Sequence, residues 1–131
     1  MAIFSLNSAP YEGPAMTPSL YAAYYLEREG VHVVEHEWGF ATYKLMPEHV
    51  YLQDIYVIPS RRKDGLGVQL MNEVAEIAKK KGLRTMFGSV APSTPFGHTM
   101  TQIMLGLGFR IHSSDKDIIY FKKDLGELKR G

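Results

Sequence analysis

The sequence predicts one α+β domain, a mixed fold with a central, mostly antiparallel sheet and flanking helices. Three observations lead there. Strand-like runs at Val31 to Glu37, Gly39 to Lys44 and Val50 to Val57 are separated only by short turns, as in a meander. A basic turn with two glycines, Pro59 to Gly67, joins the last of these runs to an amphipathic helix. Another strand, another helix and a closing strand pair follow. The 131 residues, 45% of them hydrophobic, suit a single domain spanning the chain with one core.

Taken in order, Ile3 to Leu6 reads as a short first strand, followed by a loop with Pro10, Gly13 and Pro14. Thr17-Pro18 is a helix start, a capping hydroxyl ahead of proline at the first helical position. That helix runs to Glu29, stops at Gly30 and carries Leu20, Tyr21, Tyr24, Tyr25 and Leu26, a tyrosine-rich stripe expected to serve packing. After the meander, Leu66, Leu70, Met71, Val74, Ile77 and Ala78 recur at helical spacing, and Gly82 ends the helix. Arg84 to Val90 reads as a strand lying next to the strand before the basic turn. Thr94-Pro95 repeats the cap-then-proline start, opening a helix with Phe96, Met100, Ile103 and Leu107 on one face. Gly108 suits its left-handed terminus, and Phe109 can pack back. Ile111 and the alternation from Ile118 to Phe121 suggest a closing hairpin turning near Ser113 to Asp117. Residues 126–131 read as a frayed polar tail.

Composition limits the function. Fifteen basic and 14 acidic residues give a formal net charge of +1, which implies no nucleic-acid partner. The absence of cysteine removes disulfides, thiolate metal sites and thiol catalysis. His36 and His49 with nearby carboxylates lack a metal-ligand spacing, so no metal is expected. No apolar run approaches the ~20 residues of a membrane span. No basic-then-apolar leader is visible, so a cytoplasmic protein without membrane contact is expected.

The basic turn carries the most chemistry. A strand that breaks into such a turn and then a helix aims several unpaired N–H groups one way, and the helix dipole adds positive potential, which makes an anion site. Gly65 and Gly67 let a phosphate approach the main chain. The pattern is not G-x-x-x-x-G-K-[ST], nor is it G-x-G-x-x-G, whose third glycine is replaced here by Leu70. It is Val57-x-Pro59, then Arg62-x-x-Gly65-x-Gly67.

This resembles the acyl-CoA signature of the GNAT superfamily of N-acetyltransferases, [Q/R]-x-x-G-x-[G/A] after a V-x-P strand end. The element order is similar too, and Leu107-Gly108-Phe109 matches the L-G-F triplet of the family's last motif block. The likeness covers roughly residues 31 to 121. It implies a GNAT-like acyl-CoA N-acyltransferase fold and acetyl-CoA as co-substrate. The pyrophosphate would be held at Arg62, Lys63, Asp64, Gly65, Leu66, Gly67 and Val68. The pantetheine arm would pair with the backbone of Ile55, Tyr56 and Val57. The implied reaction is acetyl transfer to a primary amine on a small molecule or a protein, and family members often form homodimers.

The acid–base positions depart from the family. Its tyrosine four residues before the glycine of the G-F pair falls at Met104, and its asparagine seven residues earlier falls at Gly97. The glutamate of its Y-L-E-D strand is Gln53 in Tyr51-Leu52-Gln53-Asp54. His98, in the first turn of the last helix, is the substitute base candidate, with an exposed or capping histidine as the alternative. Asp54 is the second candidate, although strict alternation turns it to the other sheet face and favours a structural hydrogen bond. Glu35, His36 and Glu37 either border an acceptor slot or form a solvated hairpin end. Two readings follow, an acetyl-CoA-dependent N-acetyltransferase or a catalytically degenerate module that binds CoA or a protein partner in assembly or regulation.

Overall fold

The computed structural model describes residues 19–126. The expected first strand at Ile3 to Leu6, its loop and the Thr17-Pro18 start lie outside them, as does the expected tail beyond Gly126.

Helix α1 (Leu20–Glu29) begins at Ser19, whose hydroxyl accepts the Ala22 N–H, so the described cap lies two residues after Thr17. It stops at Gly30, which takes φ 71° and returns its N–H to the Leu26 carbonyl. Strands β1 (His32–His36), β2 (Gly39–Leu45) and β3 (Val50–Val57) form the expected antiparallel meander. A single 3-10 turn, Pro59–Arg61, leads toward α2 (Leu66–Lys80). Then come β4 (Thr85–Val90), α3 (Gly97–Gly106) and the hairpin β5 (Arg110–Asp115) with β6 (Ile118–Asp124). The hairpin turn is only Lys116 and Asp117, tighter than the expected span.

The sheet order is β1-β2-β3-β4-β6-β5, and among the described strands only the β3–β4 neighbours are parallel. A parallel pair needs a crossover, and α2 supplies it. The two sheet faces are told apart by neighbours on β1. Glu35 accepts the Ser19 N–H at the start of α1, whereas His36 reaches Glu73 on α2 at 2.9 Å. Thus α1 covers one face and α2 the other. Of the stripe that the helical spacing predicts, Leu66, Leu70, Met71, Val74 and Ala78 of α2 are buried and Ile77 is partly buried; Ala75, outside that stripe, is buried as well. They share one core with Val34, Ala41, Val50, Leu52, Met86 and Phe121.

Helix α3 corrects two expectations. Its N-cap is Phe96 without a side-chain bond, and the Thr94 hydroxyl donates to the Ala91 carbonyl in the preceding turn. Its buried stripe is Gly97, Met104 and Leu107, with Met100 partly buried, while Phe96 and Ile103 are exposed. Because the helix starts at Gly97, its inward face is rotated by about one residue from the predicted one. Gly108 (φ 95°) and the buried Phe109, whose N–H returns to the Met104 carbonyl, close it as expected.

Candidate functional site

Strands β3 and β4 form a fork. They pair only at Val50 with Met86 and at Tyr51 with Phe87, although β3 stays on β2 to Val57 and β4 stays on β6 to Val90. From Leu52 onward one edge of β3 therefore has no strand beside it among the described residues. The basic turn sits at the open end of this fork, past Val57.

Arg61 to Gly65 are exposed, Gly65 takes φ 75°, and no side chain caps α2. The first bond of the helix runs from the Gln69 N–H to the Gly65 carbonyl. The amides of Leu66, Gly67 and Val68 precede it and present donors to solvent at the positive end of the dipole. A Cβ on Gly65 or Gly67 would meet nothing within 4 Å, so both glycines border open space. Arg62 Nε donates to the Val57 carbonyl at 2.7 Å, and its guanidinium carbon lies 5.3 Å from the Tyr56 ring centroid. The turn is thus pinned to the end of β3. Arg62→Ala is expected to lower stability by about 1 kcal/mol through that lost bond, which a melting curve checks.

The sheet corrects the orientation of Asp54. The register passes from Thr42 opposite Asp54 to Tyr43 opposite Leu52, so Gln53 is an extra residue, a β-bulge. Core-facing positions then run Val50, Leu52, Ile55 and Val57, and Asp54 stays on the same face as Gln53 and Tyr56. That is the α1 face, where Gln53 Nε2 donates to Tyr25 Oη at 2.8 Å. Asp54 is flanked by Tyr56, which stacks on Phe40 at 5.6 Å between centroids. Across from it, Thr42 is buried and its Oγ1 has no partner among the described residues. The crowding raises the Asp54 carboxyl above its ordinary value by desolvation, even though the residue keeps solvent access.

Other candidates are dispersed. His98 is exposed in the first turn of α3 and makes no hydrogen bond, ion pair or ring contact among the described residues. Glu35 and His36 are on opposite faces of β1, and His36 is tied to Glu73 and stacked on Trp38 at 4.6 Å. With β2 between β1 and β3, His36 and Glu37 do not border the fork. Lys63 and Asp64 stand exposed in the turn, and Arg61 pairs with Asp64 at 3.5 Å. No group of three or more metal-ligating side chains occurs among the described residues. A groove of about 650 Å³ runs along the other flank of α2, from Gly65 to Lys80 against Val33 and Tyr43. It lies away from the fork, and the free strand edge and unpaired amides are the features that fit a ligand.

The apex of the fork is closed by contacts that the sequence reading did not foresee, although it had named Tyr51 and Met104. On the α1 face, Tyr51 Oη and Ser89 Oγ share a hydrogen bond of 2.5 Å from β3 to β4. On the α2 face, Met104 reaches so close to Gly88 that a Cβ there would lie 2.6 Å from its methyl carbon. The bulge, by contrast, left a trace in the sequence. The step from Val50 and Leu52 to Ile55 and Val57 breaks a period of two and marks the bulge.

The model of the acetyltransferase (GNAT) family matches residues 1–96. An aminoglycoside N(6')-acetyltransferase type 1 from Acinetobacter genomosp. 13 is 33% identical over 76 residues, 58% of this chain and 48% of that protein. A thialysine N-epsilon-acetyltransferase from Mus musculus is 50% identical over 34 residues, 26% of this chain and 20% of that one. The matched part is therefore half or less of these curated relatives. The crystal structure of an aminoglycoside 6'-N-acetyltransferase complexed with coenzyme A superposes with a TM-score of 0.61 at 17% identity, covering 82% of this chain and 79% of that one. At that identity the likeness concerns the fold.

Proposed function

The chain belongs to the GNAT family of acetyltransferases, and from that premise we propose that it transfers an acetyl group from acetyl-CoA to a primary amine. The observation that carries this reading is the uncapped, glycine-lined start of α2 placed at the open end of a strand fork. Phosphates suit the amides of Leu66, Gly67 and Val68, with Arg62 and Lys63 adding charge beside Gly65. An extended pantetheine arm suits the free edge of Ile55, Tyr56 and Val57. When bound, acetyl-CoA supplies an activated acyl group. The chain's own part is to hold that group at the fork, to polarise its carbonyl with a main-chain N–H, and to accept a proton from the amine.

For the proton we favour Asp54 over His98. Both side chains are exposed, but the Asp54 carboxylate lies beside the fork among neighbours that desolvate it in part, whereas His98 makes no hydrogen bond, ion pair or ring contact among the described residues. A carboxyl raised by burial binds more protons folded than unfolded between its two pKa values. Its burial therefore opposes folding, and stability falls, as pH rises through the raised value. Asp54→Asn should consequently raise the melting temperature slightly at pH 7 while lowering kcat by about 100-fold. Loss of both together would make Asp54 a structural residue.

The acceptor is proposed only as an amine. The aminoglycoside and thialysine enzymes among the relatives make an aminoglycoside and thialysine the first compounds to test, alongside polyamines and peptide amines. Thiol release from acetyl-CoA is the measurement, and amine-dependent release is expected. The second reading, a degenerate module, draws on the apolar Met104 at the family's acid position and on Gln53 tied to Tyr25. If coenzyme A raises the melting temperature but no amine stimulates release, that reading stands.

A further inference from the structure

We propose that Tyr51, backed by Ser89, is the acid that protonates the departing thiolate; this rests on the transferase reading above. The fork narrows to an apex at the Tyr51–Phe87 pair, so an acyl group carried down the free edge of β3 stops there. The apex has two covers of opposite chemistry. Met104, buried at 5% exposure, closes the α2 face and has no proton to donate. The Tyr51–Ser89 hydroxyl pair spans the α1 face, from the last paired residue of β3 to a residue of β4 two positions past the pairing. Crossing the gap there requires the Tyr51 ring to lean from the apex toward the open fork. Asp54, three residues on, is also on the α1 face, so the proton acceptor and the proton donor share one side of the gap.

The step balances without another reactant. The amine nitrogen forms the new C–N bond as the C–S bond breaks. One nitrogen proton passes to the Asp54 carboxylate, and the Tyr51 Oη proton passes to sulfur. The Ser89 Oγ–H then donates to the Tyr51 oxygen, holding its charge until solvent returns a proton, while Asp54 releases its own. No net proton is consumed.

The test uses the intact chain, acetyl-CoA, and the amine of the panel above that gives fastest thiol release. Tyr51→Phe, which keeps the ring, is expected to lower kcat by on the order of 100-fold. The calorimetric Kd for acetyl-CoA and the KM for the amine should stay within about twofold. Ser89→Ala should lose less, and the double variant no more than Tyr51→Phe, because the two hydroxyls act as one unit. Tyr51→Phe retaining wild-type kcat would overturn the assignment, and so would a parallel loss of kcat and acetyl-CoA affinity, which marks a packing role. If Tyr51→Phe does not fold, Ser89→Ala decides, since full activity there removes the pair from the mechanism. A wild-type chain that binds acetyl-CoA but acetylates no amine fails at the transferase reading, a result distinct from failure of the variants.

Discussion

Gly67→Asp is expected to weaken acetyl-CoA binding on the order of 100-fold or more without loss of fold. The position is unusually clean. Gly67 lies in the first turn of α2 and has no positive φ, and its Cβ would meet nothing within 4 Å. A carboxylate there also suits the positive end of the helix dipole, so the melting temperature should hold or rise slightly. In the complex the same carboxylate would face a diphosphate. At an effective dielectric near that of a protein surface, like charges a few ångströms apart repel by about 3 kcal/mol, which is roughly 100-fold in Kd. Gly65→Asp is a weaker test, because φ 75° strains any side chain and mixes destabilisation with lost binding. Gly67→Ala should fall between wild type and Gly67→Asp. Titration calorimetry with acetyl-CoA reads all three, and unchanged affinity in Gly67→Asp would remove the phosphate site from this turn.

That experiment tests the part of the molecule most legible in its sequence. Leu66, Leu70, Met71, Val74, Ile77 and Ala78 announce α2 because a helix on a sheet must bury one stripe, and all are buried except the partly buried Ile77. The glycine turn is local chemistry, spelled out by nine consecutive residues. Gly30, Gly82 and Gly108 all mark helix ends and all take positive φ. What could not be read were relations between distant residues. Tyr51 and Ser89 meet only because α2 returns the chain parallel to β3, and Tyr25 finds Gln53 only because α1 lies on the bulged face. Asp54 was misplaced because alternation was extended through a bulge, although the run Val50, Leu52, Ile55, Val57 contained the break. The α3 face was misjudged for a related reason. Thr94-Pro95 is a sound helix start in isolation, yet the Thr94 hydroxyl is taken by the Ala91 carbonyl, and the helix begins two residues after Pro95.

The glycine at which α3 does begin carries the largest expected stability effect. Gly97→Ala should destabilise the domain by about 3 kcal/mol, the upper end for overpacking. A Cβ at Gly97 would lie 2.4 Å from the carbonyl oxygens of both Ala91 and Pro92, and both are backbone atoms, unable to swing aside as a side chain would. Ala91 is further fixed, since its carbonyl accepts from the Thr94 N–H at 3.0 Å and the Thr94 hydroxyl at 2.7 Å. Relief would require moving α3, and with it Met104 from Gly88 and Leu107 from the core. For a domain of this size about 3 kcal/mol corresponds to a melting-temperature loss of roughly 10 °C. Gly106→Ala is the control, because a Cβ there meets nothing within 4 Å and alanine favours a helix. It should leave the melting temperature unchanged or raise it. This contrast also explains why the position matching the family's asparagine holds glycine here. With α3 pressed against the turn at residues 91 and 92 there is no room for any side chain, so an amide could not be placed at that point of the fork's α2 side. A Gly97→Ala variant melting within 2 °C of wild type would show that the contact yields and that glycine at this position needs another cause.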